Sequence, residues 1–252
     1  MNYRLLTLAA FSLITGSAFG QFTGQVATTM SSGGAAQGNT AGEIAMLLGP
    51  ISEANDKRSV DWENFQGSPY TSDEFEPAEL FYKNDKIGTI FYRHNALNEE
   101  IEIKESKNQQ GIRGLNRDKN INLRVDGKPM RFMTFIDKSG TTMNGYLTQL
   151  VDGENIDLYR RVHVKFTEGA PAQNSFVKAI PSRFSQFTEY YVQKQGVDRI
   201  DELQQKNSKL YALTENGEQK QLLKAFLKDN NLDVDKEEDL VRLIMFLDRN
   251  YK

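Results

Sequence analysis

The chain of 252 residues contains no cysteine. That absence removes disulfides, thiolate metal ligands and cysteine nucleophiles, and with them the lipid-accepting cysteine that tethers a bacterial lipoprotein. Histidine occurs only at His94 and His163, and neither has a sequence-local partner from which a zinc site could be built. Charge of one sign is lacking as well. The 31 basic and 34 acidic residues leave a net charge of -3, which gives no general pull toward nucleic acid or an anionic membrane. Beyond the first twenty residues no apolar run approaches the roughly twenty residues a spanning helix needs. The longest near the end, Leu243 to Leu247, belongs to an amphipathic pattern.

What is present begins with an address. Arg4 precedes the largely apolar Leu5 to Ile14, and Ala18-Phe19-Gly20 places small residues where a signal peptidase reads. Residues 1–20 therefore read as an export signal, and the expected location is periplasmic or extracellular. Residues 21–58 are rich in Gly, Ser, Thr, Ala and Gln, too poor in apolar mass to offset the entropy of ordering. They read as a low-complexity leader with one helical turn over Ala41 to Leu48.

From Trp62 the pattern changes to period two. Glu100 to Lys104, Ile121 to Val125 and Arg131 to Ile136 read as strands, the last two joined at Asp126-Gly127. Ile156 to Phe166 alternates most clearly. Ile156, Leu158, Val162, Val164 and Phe166 form a dry face, and Asp157, Tyr159, Arg161, His163 and Lys165 a wet one, with Arg160 misplaced among the apolar residues. Ser185 to Val192 is a further strand. Helices are expected around Ile200 to Tyr211, after Gly217, and after a capping box at Asp235-Lys236-Glu237-Glu238. The fold expected is α+β: an antiparallel sheet over 59–195, strongly curved or barrel-like, followed by about three helices over 196–252 packed upon it.

Candidate sites are few. Asp229 to Asp235 lies between helices as a calcium loop would, but Val234 stands at the glycine position and Leu240 at the bidentate glutamate. Ser68 lacks a G-x-S-x-G elbow. Gly111-Ile112-Arg113-Gly114 sits in a polar loop, basic at Arg113, Arg117 and Lys119, where an anion could bind only loosely. Adjacent carboxylates such as Glu99-Glu100 and Asp73-Glu74 read as solvated charge. Aromatic pairs (Phe81-Tyr82, Phe91-Tyr92, Tyr190-Tyr191) place one ring inside and one outside, as sheet packing or as a binding surface. One cluster, Tyr70, Arg93 and His94, merits inspection as a pocket.

Trp62, Gly67-Ser68-Pro69-Tyr70, Phe91 to Asn95, Asn98 to Glu102, and the closing Asn231-Leu232 and Lys236 to Leu240 together form a pattern. It resembles a set of exported proteins of Bacteroidetes-type bacteria, in which a GSPY element precedes a strand pair. The resemblance spans about Trp62 to Lys252 and implies a cell-envelope or secreted location, but no activity and no functional residue.

The expectation is an exported, non-enzymatic binding or interaction module without catalytic residues, metal or cofactor. Its partner would be an envelope protein, peptide or glycan, with no nucleic acid and no integral membrane segment. The alternatives are a hydrolase whose carboxylates meet only in the fold, and an envelope assembly factor.

Overall fold

The computed structural model describes residues 40–49, 65–172, 174 and 176–251. The expected export signal, most of the expected leader and Trp62 lie outside them. The architecture is α+β, mostly strand, with helices at the C-terminal end.

Helix α1 (Thr40–Met46) and the short strand β1 (Leu48–Gly49) lead in. Then come β2 (Glu76–Tyr82), β3 (Asp85–Asn95), β4 (Glu100–Lys104), β5 (Arg113–Leu115), β6 (Ile121–Val125) and β7 (Lys128–Ile136). These are followed by β8 (Thr142–Val151), β9 (Ile156–Thr167), β10 (Arg183–Lys194) and β11 (Asp201–Leu203). Helices α2 (Asn207–Tyr211), α3 (Gly217–Asp229) and α4 (Glu237–Arg249) close the chain. The turn seen at Ala41 to Leu48 is thus a helix and strand of the folded body: Ile44, Leu47 and Leu48 are buried, and Leu48 pairs with Leu115.

One sheet holds all eleven strands, in the order β1-β5-β4-β3-β2-β6-β7-β11-β10-β9-β8, and β8 pairs back onto β7. That last pairing closes a ring of β7, β8, β9, β10 and β11, antiparallel except where Asp201 of β11 lies parallel to Ile136 of β7. Ile200 to Leu203, expected as the start of a helix, instead contains β11 (Asp201–Leu203), the strand that completes this ring. Its local sequence yields to the hydrogen bond from Ile136 N–H to the Ile200 carbonyl. The β6–β7 turn is as expected: Asp126 and Gly127 both have positive φ (50° and 77°), the signature of a tight type I′ hairpin.

A second, incomplete ring shares three of the same strands. Going round it, β3, β2, β6, β7, β8 and β9 are each paired to the next, and the hydrogen bond from Val164 N–H to the Ala96 carbonyl joins its two ends at 3.0 Å. β7, β8 and β9 thus belong to both rings, and one face of β9 turns partly into the closed one. This corrects the expected wet face of β9. Tyr159 and Arg161 are buried inside the closed ring, whose core is Phe135, Leu147, Tyr159, Tyr191 and Ile200. Tyr190 and Tyr191 are both buried, one beneath the helices and one inside the ring. Phe166, assigned to the dry face, is instead partly exposed where β9 runs past the ring.

The helices cover the outer face of the closed ring. Leu240, Leu243, Ile244 and Leu247 of α4 pack with Leu223 and Leu227 of α3 against Ile156, Leu158 and Val192, each contributing about 1.5–3 kcal/mol relative to exposure. Leu222, expected in that stripe, faces solvent. Arg160, the exception on the apolar face, meets Glu237 of α4 at 3.1 Å. The expected capping box does not form. Lys236 is the N-cap, and Asp239 is the residue that reaches back, accepting from Asp233 N–H.

Candidate functional site

The two rings part where β8 leaves β9. Their pairing begins only at Thr148↔Arg160, so residues 142–147 of β8 pair with β7 and not with β9, and Arg161 to Thr167 of β9 pair with β10 and, at Val164, with Ala96. The β3–β4 turn fills the resulting gap. Asn95 Oδ1 accepts from Leu97 and Asn98 N–H and shapes that turn, and Glu99 follows at φ 53°. Its carboxylate accepts from Tyr146 N–H of β8 at 3.1 Å and from Arg161 of β9 at 2.6 and 3.0 Å. Gly145 makes the room, since a Cβ there would stand 2.8 Å from the Glu99 carboxyl.

Arg161 is held from the other side by Glu189 of β10 at 3.1 Å, and Tyr191 O–H donates to the same Glu189 at 2.9 Å. The chain's two histidines flank this charge chain: His94 Nε2 lies 3.7 Å from Glu99, and His163 Nδ1 lies 3.5 Å from Glu189. Burial alone would raise Glu99, but the neighbouring His94 and Arg161 outweigh it and hold its carboxyl below the ordinary range. Burial lowers His163, since it disfavours the imidazolium. The expectation that Glu99 is solvated charge therefore fails. Carboxylates do meet in the fold, but they meet on an arginine.

The Tyr70, Arg93 and His94 cluster divides. Alternation along β3 sends Arg93 one way and His94 the other. The Arg93 guanidinium lies 3.8 Å over the Tyr70 ring and donates to Glu102 at 2.6 and 3.0 Å, and Tyr70 O–H donates to Glu102 at 3.1 Å. Burial, helped by the Glu102 charge, pushes the Tyr70 phenol up to about 12. This is a tightly packed ion pair, with no open pocket at its centre.

His94 instead faces the interior of the incomplete ring. A cavity of about 280 Å³ opens there between β3, β7, β8 and β9, with His94, Tyr146, Arg160, Tyr92, Lys128 and Thr148 among its walls. Of the buried side-chain atoms without a hydrogen-bond partner among the described residues, His94 Nε2, Tyr146 Oη and Arg160 Nε belong to these walls, while Asn122 Oδ1 and His163 Nδ1 lie elsewhere. His94 and Tyr146 are each only 4% exposed. An unpaired buried polar group costs about 1–3 kcal/mol. Three around one cavity mark a place where the chain forgoes stability.

A wider cleft of about 990 Å³ carries Arg117, Lys119, Arg131 and Arg199 beside Asp118 and Asp198. Two of its cations are already engaged. Arg117 donates to the carbonyls of Asn98 and Glu99, and Arg199 pairs with Asp201. The basic loop noted in the sequence thus serves the β3–β4 turn, and Arg113 and Gly114 lie in strand β5. The α3–α4 connection bonds its own acids: Asp233 Oδ1 accepts from Asp235 N–H. No group of three potential metal-ligating side chains gathers among the described residues.

Sequence reasoning selected His94 but missed Tyr146, Arg160 as a wall residue, and the role of Glu99. Arg160 alone carried a signal, as a charge in an apolar series. Protein-family models, curated proteins and solved structures give no match to this chain.

Proposed function

We propose that the chain is an exported, non-enzymatic binding module of the cell envelope that takes a small polar ligand into the cavity of the incomplete ring. One observation carries this reading: His94, Tyr146 and Arg160, from three different strands, all line that single cavity, and each carries a buried polar atom without a hydrogen-bond partner. The buried carboxylates support a binding role over a hydrolytic one. Glu99, Glu102 and Glu189 each accept from an arginine, so none stands free as half of an acid–base pair. The small-residue cleavage pattern after an apolar start supports export.

The test is native mass spectrometry of the mature protein after incubation with a small-molecule extract of cell envelopes. A discrete adduct is expected on the wild type and not on Thr148→Phe, whose ring fills the cavity. No adduct, or one that Thr148→Phe retains, contradicts the reading.

A further inference from the structure

The β9–β10 hairpin runs on past the rings as an arm. Its pairing continues in register to a bridge at Ala170↔Ile180, where each N–H donates to the other's carbonyl at 2.9 and 2.8 Å. The chain before Gly67 braces the base of the arm. Gln66 N–H donates to the Ser182 carbonyl and Phe184 N–H to the Gln66 carbonyl, and Phe65 packs against Phe166 and Phe184. Beyond the bridge the tip turns at Asn174, whose Oδ1 accepts from Phe176 and Val177 N–H at 3.0 and 3.1 Å.

What this tip presents is apolar. Phe176 is 97% exposed, Ile180 66% and Val177 48%. Nine large apolar side chains are exposed among the described residues, and these three fall within five positions. Met46, Val197, Leu222 and Met245 come from four separate segments, as scattered surface residues do. A cluster is different, because contiguous exposed apolar surface marks a contact with another phase or partner.

The backbone of the tip is prepared for an apolar medium. Ala170 and Ile180 satisfy one another, Asn174 satisfies Phe176 and Val177, and Gly169 N–H donates to Ser182 Oγ at 2.9 Å. Pro171 and Pro181 bring no N–H at all. Few donors are therefore stranded when water is removed, which is the chief cost of placing irregular chain against lipid.

Charge around the tip is one-sided, although the chain as a whole is nearly balanced. From residue 165 to 183 the sequence carries Lys165, Lys178 and Arg183 against Glu168 alone. All three cations are exposed, and no ion pair engages them among the described residues. Arg93, Arg160 and Arg161, in contrast, are each tied to a carboxylate. Lys178 stands in the tip itself, and Arg183 lies three residues behind Ile180, about 10 Å along an extended chain. Apolar groups enter the headgroup boundary of a bilayer to about 5–10 Å. A tip at that depth sets both cations at the level of the lipid phosphates.

We infer that the β9–β10 tip docks the chain peripherally on an anionic bilayer. Phe176, Val177 and Ile180 enter the acyl boundary, and Lys178 and Arg183 meet the phosphates. The inference stands apart from the cavity and goes beyond the binding-module reading. A bilayer suits this tip better than a protein groove, since it demands apolar side chains in front and cations behind but no fixed shape.

Flotation of the mature protein with vesicles of equal parts phosphatidylcholine and phosphatidylglycerol tests it, beside vesicles of phosphatidylcholine alone. Binding to the anionic vesicles is expected, and it should weaken as salt rises. Phe176→Ser should weaken it by at least roughly tenfold, and Lys178→Gln by about fivefold. Neither side chain is covered by the fold, so both variants should keep the wild-type melting curve in circular dichroism. Equal binding to both kinds of vesicle overturns the inference by removing its charge. Failure to bind the anionic vesicles overturns it as well, and so does binding that Phe176→Ser retains in full. Dimerisation of the wild type in sedimentation, lost in Phe176→Ser, would assign the tip to a second copy and also overturn it.

Discussion

The two rings share β7, β8 and β9, yet their interiors are finished differently. The closed ring is filled. Phe135 and Tyr191 meet edge to face at 4.7 Å, and the Arg161 charge is matched by Glu99 and Glu189. The incomplete ring keeps a cavity, with unpaired polar atoms on three strands around it. The three shared strands serve both interiors, so the difference lies in what the remaining strands and the side chains supply. A buried charge met on both sides is architecture: removing its partner strands it, and nothing is left over to bind. A buried polar atom left unmet destabilises the fold slightly and remains available to a guest. Pairing, more than charge content, separates scaffold from site here.

Breaking the wedge between the rings should have the largest effect. Glu99→Ala leaves Arg161 with only Glu189 and leaves Tyr146 N–H unmet, and should lower urea unfolding stability by about 3–5 kcal/mol. A loss below about 1 kcal/mol would mean that the pair behaves as a surface contact.

Acid should loosen the closed ring in two stages. His163, surrounded by Glu189, Arg161, Glu99 and Glu202, titrates below its ordinary 6.5 in the folded chain because it is buried. The unfolded chain therefore takes the proton first, and stability falls as pH drops from 6.5. Glu99 also lies below its ordinary 4.5, so the stability it contributes is present above 4.5 and is lost as pH falls through its folded value. Unfolding midpoints measured across this range should stay level in His163→Gln until the second stage begins. Glu99→Gln should remove the second stage. A single stage unaffected by either substitution would remove both groups from the account.

The smallest effects should lie outside the closed ring. Phe176 is 97% exposed in the β9–β10 connection, so Phe176→Ser should change stability by no more than about 0.5 kcal/mol. A larger loss in denaturant unfolding would show that the tip packs onto the body.

Local pattern made much of this legible. The alternation of Glu100 to Lys104, the Asp126-Gly127 turn and the leucine stripe of α4 each lead to the element observed. The faces of β9 misled, because alternation shows two faces but not what covers each; closure of the ring buried Tyr159 and Arg161. Ile200 to Leu203 misled because its partner, β7, lies more than sixty residues earlier. The site was hidden for the same reason. Glu99 and Arg161 are 62 residues apart, and no local pattern marks Tyr146. Only Arg160, polar amid an apolar run, left a trace in the sequence.

The central claim is that the incomplete ring holds polar atoms that serve no structural purpose. Urea unfolding of ligand-free Tyr146→Phe beside the wild type tests this most directly. Removing an unpaired buried hydroxyl should leave stability unchanged or raise it by up to about 1 kcal/mol. A loss of about 1 kcal/mol or more would show that the hydroxyl is already bonded within the protein, and that the cavity is part of the scaffold.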